Sequence, residues 1–588
     1  MPRLRRLNAV PLPLMAVDFA WSLLVFLALA FGLAWPLAAR LPLAAAEKIV
    51  ASAVLSLVGT FAFAWIVFGW ALPPATLWVL PAIGAAGLAL GAGALAEAWR
   101  DTDGCAVIVG QLIVTAWCVG WLATIATYAG GGWSGDWFEH WERARFFLDH
   151  QPITQKFLGH DSLTARPPLA NVVTAVFLTL TRADFAHYQL FSTLLATLVF
   201  LPAALLARRF GRNARAIAIC AALFLVNPLL VQNATFAWTK LPAALFVLAA
   251  LYFFLRAQER GAPLAAPLLC ATSLGAGLIT HYSAGPYAVM LALSWLGLGW
   301  AQRDERDWQR ATALAALAGA AVLALWFGWA IATYGAHETF FSNSSVTTAA
   351  QYHGSQLGKI LRNLRDTFVP HFIRSPDPSF IAQRNLLGRW SDWFFQNYQL
   401  NLPLACGSLA WLVIIRELVR ARRGAGIRDR YFWGSLFAGV VVLGVGTHGA
   451  RDEWGLAHIC LQALVLLAVA FLAARWGHLS RAWRVALLVG AAIDLAGGIV
   501  LHGAMQSLAF GRWLAPGAAN DIAAGFSLPT KMNLNGKIVN HLAFFSDVFA
   551  APLGLVLALL LALLALAVVG AWPRPAPARR PLAKPPTR

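Results

Sequence analysis

Acidic and aromatic side chains are concentrated in one short segment, residues 131–167, which separates two long apolar blocks of the chain. Its carboxylates are unusually dense for this sequence: Asp136, Glu139, Glu142, Asp149 and Asp161. At helical spacing the polar side chains share one face and the apolar ones the other, with Asp136, Glu139, His140 and Arg143 opposite Trp137, Trp141, Ala144 and Leu148. A helix of this kind is expected to lie along a membrane interface. It would hold Asp136 at the headgroup level, where the carboxylate could meet a lipid-borne phosphate.

The same residues allow two other interpretations. Asp136 and Glu139 have the spacing of a capping box, with Asp136 as the N-cap residue and Glu139 three positions later. Asp136, Glu139 and His140 could also ligate a divalent cation, although three ligands without a matching cluster elsewhere are a weak signal. The remaining charges of the helix are expected to form a solvated face: Glu142, Arg143 and Arg145.

Composition restricts the class of protein that can carry this segment. Of the 588 residues, 59% are hydrophobic and only 12% are charged, and the mean hydropathy is +0.65. Apolar runs of about 20 residues recur to residue 571, and each is long enough to cross a bilayer. The net charge of +19 does not indicate nucleic-acid binding, because Lys and Arg cluster in short connectors between the apolar runs. The six cysteines form no CxxC pair, so neither a disulfide framework nor a thiolate metal site is predicted.

The connectors set the predicted topology. Eleven spans are predicted from residue 188 onward, near 188–207, 212–230, 239–256, 263–280, 284–301, 310–334, 402–419, 431–448, 456–474, 481–502 and 548–571. Alternate connectors are rich in arginine, which places them in the cytoplasm. The segment 131–167 and two long loops, near 335–400 and 503–547, then face the opposite side.

The N-terminal part leaves the topology open. Four apolar runs, near 15–38, 50–72, 75–97 and 106–128, precede the acidic segment, and Arg3, Arg5 and Arg6 would place the N-terminus inside. Four crossings would then leave residues 131–167 inside as well. Either the N-terminus is outside, or an early run is re-entrant, or the stretch 168–182 is a true span. The chain divides into 1–130, 131–187, 188–334, 335–400, 401–502, 503–547, 548–571 and a cytoplasmic Pro- and Arg-rich tail, 572–588.

Short motifs downstream of the acidic segment suggest a family. They are Arg166-Pro167-Pro168-Leu169, Asn227-Pro228, the run Thr235-Phe236-Ala237-Trp238-Thr239-Lys240 and the turn Thr280-His281-Tyr282-Ser283. Together with the acidic external loop, their order resembles the GT-C superfamily of polytopic glycosyltransferases, which use polyprenyl-phosphate sugars. This superfamily includes the protein O-mannosyltransferases and the aminoarabinose and RgtA-like lipid A enzymes. Many relatives place an acid where this chain has Lys240, so this departure puts a second catalytic or metal-binding carboxylate at that position in doubt.

The resemblance implies an all-α integral membrane protein, a GT-C-like bundle of roughly 13–16 transmembrane helices with interfacial helices in the external loops. It implies sugar transfer, with inversion, to a lipid, glycan or protein acceptor on the external face of the inner (plasma) membrane. Asp136 would be the general base, and Glu139 and His140 would be supporting or metal-binding residues. No cofactor is implied with certainty, and the involvement of a divalent cation is left open. The departing polyprenyl phosphate requires cations, and the candidates on the external side are Arg166, Lys240, His281, Arg384, Arg389 and Arg451.

Two other functions fit the composition. One is a polytopic transporter or a lipid flippase. A proton-coupled transporter should line its midplane with several ionisable residues, and the predicted spans are nearly free of them apart from Asp494. A non-catalytic scaffold would leave Asp136 dispensable. Because the acids concentrate in an interfacial loop, surface chemistry is the favoured interpretation.

Overall fold

The computed structural model describes residues 12–125, 134–159, 161–300, 305–342, 355–368, 409–421, 427–446, 460–505, 533–534, 537–538, 542–549 and 551–571. Up to the acidic segment and the helix that follows it, the α-helices are α1 Leu12–Leu27, α2 Trp35–Arg40, α3 Ala45–Gly69, α4 Val79–Leu90, α5 Ala92–Arg100, α6 Thr102–Leu122, α7 Ser134–Leu148 and α8 Leu169–Leu180. The central helices are α9 Phe185–Thr197, α10 Phe200–Gly211, α11 Arg215–Leu225, α12 Pro228–Thr235, α13 Lys240–Ala257, α14 Ala265–Leu278, α15 Gly285–Gly299, α16 Arg306–Leu323 and α17 Trp329–Phe341.

The remaining α-helices are α18 Gln356–Phe368, α19 Ala410–Ala421, α20 Ile427–Val440, α21 Gln462–Arg475, α22 Arg481–Gly498, α23 Phe545–Val548 and α24 Leu553–Ala571. π-helical turns lie at Ala28–Gly32, Ala324–Gly328, Val441–Gly446 and Ile499–Met505, and 3-10 turns at Pro74–Trp78, Leu163–Ala165, Tyr282–Ala284 and Trp476–His478. Two short antiparallel strands, Asn533–Leu534 and Lys537–Ile538, pair with each other.

The described helices confirm the membrane class. Seven are long and apolar enough to cross a bilayer, and two bent pairs, α4 with α5 and α11 with α12, raise the number to nine. Four shorter apolar helices accompany them: Leu169–Leu180, Ala265–Leu278, Tyr431–Gly446 and Gln462–His478. The sequence-based expectation of 13–16 spans is larger because it includes shorter apolar segments of this kind and segments that lie outside the described residues. The spans pack into one apolar core, since the windows at Phe185–Gly211 and Lys240–Ala257 are 100% and 83% buried.

Small residues permit the close packing of the first spans. A Cβ atom on Gly32 would lie 2.3 Å from the carbonyl oxygen of Gly84, and one on Gly84 would lie 2.5 Å from that of Ala28. Only glycine fits at such backbone separations, as is common where membrane helices approach closely. Helix α4 therefore packs directly on the π-helical turn that follows α1.

Contacts between the helices show which ends of the bundle they share. Asp18 near the start of α1 lies 3.2 Å from Arg182, and the indole of Trp21 donates to the carbonyl of Leu180 at 3.0 Å. The guanidinium of Arg145 in α7 reaches the carbonyl of Ala183 in the same connector. The beginning of α1 and helix α7 therefore lie at one end of the bundle, which we call the α7 end.

The opposite end of the bundle is held by a second set of polar contacts. The hydroxyl of Tyr252, near the end of α13, donates to the carboxylate of Glu47 at the start of α3, at 2.6 Å. Arg208, in the last turn of α10, pairs with Asp103 at the start of α6 at 2.7 Å. Helices α3 and α6 thus both run from this opposite end toward the α7 end.

These contacts resolve the N-terminal topology. Trp78 stacks on Trp21 at the α7 end, and Ala98 meets Gly104 at the opposite end, so the α4–α5 pair crosses the bundle as one helix bent by 59°. Helix α8 does not cross: its 12 residues extend roughly 18 Å, less than the thickness of a bilayer core. Within residues 12–125, four crossings therefore precede the acidic segment, and the first described residues of α1 share its side of the bundle.

Candidate functional site

Helix α7 carries the residues that the acidic segment contributes. It is stabilised by two charged pairs at i,i+4 spacing, Glu139 with Arg143 and Arg145 with Asp149. His150, at φ 48°, adopts the left-handed conformation that ends the helix, and the amide of Gln151 then donates to the carbonyl of Phe146. The helix begins at Ser134, so Asp136 is its third residue rather than its N-cap, and the capping-box interpretation does not hold. The side chain of Asp136 lies outside the described residues.

The polar face of α7 is buried rather than solvated. Glu139 and Arg143 are both 0% exposed, and His140 is 4% exposed. The expectation that Arg143 belongs to a solvated face is therefore wrong. The physical reason is that the segment 161–166 folds over this face and supplies backbone carbonyls to it, while the opposite face packs Trp137 and Trp141 against Phe185.

Glu139 links two arginines. Its Oε1 lies 2.8 Å from Nε of Arg143, and its Oε2 lies 3.2 Å from both Nε and Nη2 of Arg166. Burial alone would raise the pKa of Glu139, but the positive charges of Arg166 and Arg143 outweigh it and lower the pKa to about 2. Glu139 is therefore ionised throughout the physiological range and balances part of the buried positive charge.

His140 is held in its neutral form. Its Nδ1 lies 3.1 Å from Oδ1 of Asn171 and its Nε2 lies 3.5 Å from the hydroxyl of Thr239. Burial lowers the pKa of His140 to about 3, because the low-polarity surroundings disfavour the charged ring more strongly than Glu139 favours it. The ring borders a small cavity, with space for about one water molecule, that is also lined by Thr174, Tyr188 and Ser192.

This burial predicts a loss of stability at mildly acidic pH. In the unfolded chain His140 takes up a proton below about pH 6.5, whereas in the folded protein it does so only near pH 3. The stabilisation is thus complete above pH 6.5 and is lost as the pH falls, by about 2 kcal/mol at pH 5. Thermal unfolding in detergent at pH 7 and pH 5 measures the loss, and His140→Gln should reduce the difference. Part of the loss of stability should remain in this variant, because the pKa of His281 is also lowered.

Arg166 and the turn Tyr282–Ala284 meet beside Glu139. Arg166 precedes a proline and is extended, at φ −132° and ψ 130°, as pre-proline residues prefer. The amide of Leu169 donates to the carbonyl of Ile279 at 2.9 Å, and the hydroxyl of Tyr282 donates to the carbonyl of Thr164. These bonds tie the Arg166 segment to the turn that carries His281.

The ring of His281 has a defined tautomer. Its Nδ1 accepts from the backbone amide of Ser283 at 3.1 Å and lies 2.9 Å from the Ser283 hydroxyl. The proton of the neutral ring is therefore on Nε2. The pKa of His281 lies well below its usual value because of burial and of the positive charges of Arg166 and Lys240. The ring is thus a neutral hydrogen-bond donor in a positively charged neighbourhood.

Lys240 adds a second cation beside Arg166 and the neutral ring of His281. It is the first residue of α13 and is only 4% exposed, so it does not extend to the surface. Its Nζ lies 3.7 Å from the ring centroid of Trp238, a cation–π geometry. Ala237, at φ 57°, makes the tight turn that brings the two side chains together, a backbone conformation costly for a residue other than glycine.

The structure thus brings together five of the predicted site residues, Glu139, His140, Arg166, Lys240 and His281. Glu139 pairs with Arg166, the ring of His140 lies beside Thr239, which precedes Lys240, and the Arg166 segment is bonded to the turn of His281. Arg384, Arg389 and Arg451 lie outside the described residues. Sequence reasoning placed Arg143 on the same helix face as Glu139 but assigned it no role in the site, and it quoted Trp238 only as part of a motif. No sequence pattern singled out Asn171. Among the side chains that the structure describes, no group of three His, Cys, Asp or Glu residues could hold a metal ion.

A protein-family sequence model matches the part of the chain that contains the site. Residues 116–340, which include every site residue described above, match the sequence model of the dolichyl-phosphate-mannose-protein mannosyltransferase family. No protein among the curated sequences matches the chain. The family match confirms the resemblance to the GT-C superfamily and, with it, the prediction of a membrane glycosyltransferase.

Two crystal structures of ArnT from Cupriavidus metallidurans are similar to the chain. The structure bound to undecaprenyl phosphate is 19% identical, with 78% of this chain and 77% of that chain covered and a TM-score of 0.46. The apo structure is 18% identical over the same shares of both chains, with a TM-score of 0.42.

Proposed function

We propose that the protein transfers a sugar from a polyprenyl-phosphate carrier to a lipid, glycan or protein acceptor, with inversion at the anomeric carbon. The observation that carries this proposal is the group formed by the cations Arg166 and Lys240 and the neutral donor His281, which we call the cationic group, at the end of the bundle where α7 begins. Glycosyl transfer from such a donor releases a phosphate monoester, which bears more negative charge than the diester it came from. Cations and neutral donors in a buried site stabilise that developing charge.

Asp136 is the proposed general base. It lies one helical turn before Glu139 and His140 on α7, so its backbone is close to the cationic group. Its carboxylate would take the proton of the acceptor hydroxyl while the hydroxyl oxygen attacks the anomeric carbon. The bond from that carbon to the phosphate oxygen breaks in the same step, and the electron pair leaves with the phosphate, which Arg166, Lys240 and the Nε2–H of His281 would receive.

The α7 end is the proposed external side of the inner (plasma) membrane. At the opposite end of the bundle lie the arginines of alternate connectors, Arg208, Arg209, Arg215 and Arg256. Such an excess of basic residues in short connectors is typical of the cytoplasmic side. The donor headgroup would then be used where the carrier is exposed to the periplasmic or extracytoplasmic space.

The function is tested with the purified protein in proteoliposomes. A polyprenyl-phosphate sugar with a labelled sugar is supplied with a membrane lipid extract as the source of acceptor, and both labelled product and released polyprenyl phosphate are measured. We expect the two to appear in equal amounts, because each transfer releases one carrier. A lipid flippase would instead move the labelled donor to the other leaflet chemically unchanged. That outcome would replace the proposal by the transport alternative.

A further inference from the structure

Glu139 occupies the centre of the polar face of α7 and is fully buried. Each of its carboxylate oxygens is used by a different arginine, Oε1 by Arg143 and Oε2 by Arg166. A carboxylate engaged on both oxygens by guanidinium groups is a poor ligand for a divalent cation, because the metal would have to displace a charge-assisted hydrogen bond.

Arg143 serves the fold. Besides Glu139, its Nη1 donates to the carbonyl of Leu163 at 2.9 Å and its Nη2 to that of Ser162 at 3.0 Å. Its guanidinium carbon lies 4.3 Å from the ring centroid of Phe157, so one face is covered. With a side chain that is 0% exposed, Arg143 offers no surface to a ligand.

Arg166 is differently placed although it shares the same carboxylate. Its side chain retains 19% of its exposure, and its positive charge is one of those that lower the pKa of His281. The carboxylate of Glu139 is 1% exposed, so the anion is hidden behind the guanidinium that it holds. A ligand approaching the cationic group meets Arg166 and not Glu139.

We propose that Glu139 is a positioning residue, which fixes the guanidinium of Arg166 at the donor phosphate while Arg143 fastens the same carboxylate to the 162–163 backbone. This inference rests on the proposed function. The arrangement removes the need to order a flexible arginine side chain when the donor binds, a loss of rotamer freedom that otherwise weakens binding. It assigns Glu139 neither proton transfer nor metal binding.

The experiment measures binding of a polyprenyl monophosphate to the purified full-length protein in nanodiscs, together with kcat and KM for labelled donor. Glu139→Gln keeps the shape of the side chain but removes its charge. We expect Kd for the monophosphate and KM for the donor to rise about tenfold, with a smaller change in kcat, as for the loss of one charge-assisted hydrogen bond. Glu139→Asp keeps the charge but is one methylene too short to reach both arginines, so it should raise Kd as well.

Comparison with Arg166→Ala separates positioning from a general loss of structure. If Glu139 acts through Arg166, the double variant Glu139→Gln/Arg166→Ala binds the monophosphate no more weakly than Arg166→Ala alone. Additive effects, or an unchanged Kd in folded Glu139→Gln, would overturn the inference while leaving the proposed function intact. If EDTA raised Kd and KM of the wild type as much as Glu139→Gln does, Glu139 would be assigned a role in metal binding instead. Absence of binding and transfer by the wild type would contradict the proposed function itself.

Discussion

Asp136→Asn is expected to lower the rate of sugar transfer by roughly 10²- to 10⁴-fold, the contribution of a general base that is positioned at the reacting hydroxyl. Asparagine has the same shape as aspartate but cannot take up the acceptor proton. Asp136 is the third residue of α7, so its charge belongs to the first turn of the helix. Loss of a negative charge in the first turn costs about 0.3–1 kcal/mol of stability. The rate should therefore fall in a protein that still folds.

The measurement is single-turnover transfer of labelled sugar in proteoliposomes at matched protein levels. Asp149→Asn is the matched control, since Asp149 adjoins the same helix and forms an exposed pair with Arg145. Pairs of that kind contribute little energy, so the control should retain the wild-type rate. Binding of polyprenyl monophosphate should survive in Asp136→Asn because the cations are unchanged. A variant that transfers sugar at the wild-type rate would remove Asp136 from the mechanism.

The faces of α7 could be predicted from the sequence, but what covers them could not. Periodicity correctly groups Glu139, His140 and Arg143 on one side of the helix. Their partners are set by chain folding over longer distances: the carbonyls of Ser162 and Leu163 and the amide of Asn171. A polar helix face that meets such groups is buried, whereas the same face without them would be solvated. The local sequence pattern is the same in both cases, so it could not show that this face of α7 is buried.

The sequence predicted the members of the cationic group as candidates on one side of the membrane, but not that they lie close together. Alternation of basic connectors places Arg166, Lys240 and His281 on the same side without any structural information. Their convergence depends on the bond between the Leu169 amide and Ile279 carbonyl and on the turn at Ala237, neither of which has a sequence signature. The number of early crossings was similarly undecided, because composition does not show that the α4–α5 pair is one bent helix.

Arg143→Met is expected to destabilise the protein by about 3–5 kcal/mol, the usual effect of removing one partner of a buried ion pair. Methionine fills a similar volume and preserves the packing on Phe157, so the loss is electrostatic. The carboxylate of Glu139 would keep Arg166 alone, and the carbonyls of Ser162 and Leu163 would lose their donors in a buried place. The measurement is the free energy of unfolding in mixed detergent, followed by tryptophan fluorescence.

Arg145→Met provides the matched control, two residues along the same helix. Its pair with Asp149 is 39% and 31% exposed, and exposed pairs contribute about 0–1 kcal/mol. Equal effects of the two substitutions would contradict the division of α7 into a buried and a solvated set of charges. The double variant Glu139→Gln/Arg143→Met should be less destabilised than Arg143→Met alone, because no buried carboxylate is then left short of a partner. Arg166 retains access to solvent, so its charge stays partly hydrated when Glu139 is removed. The carboxylate of Glu139 is buried, so the loss of Arg143 costs more free energy.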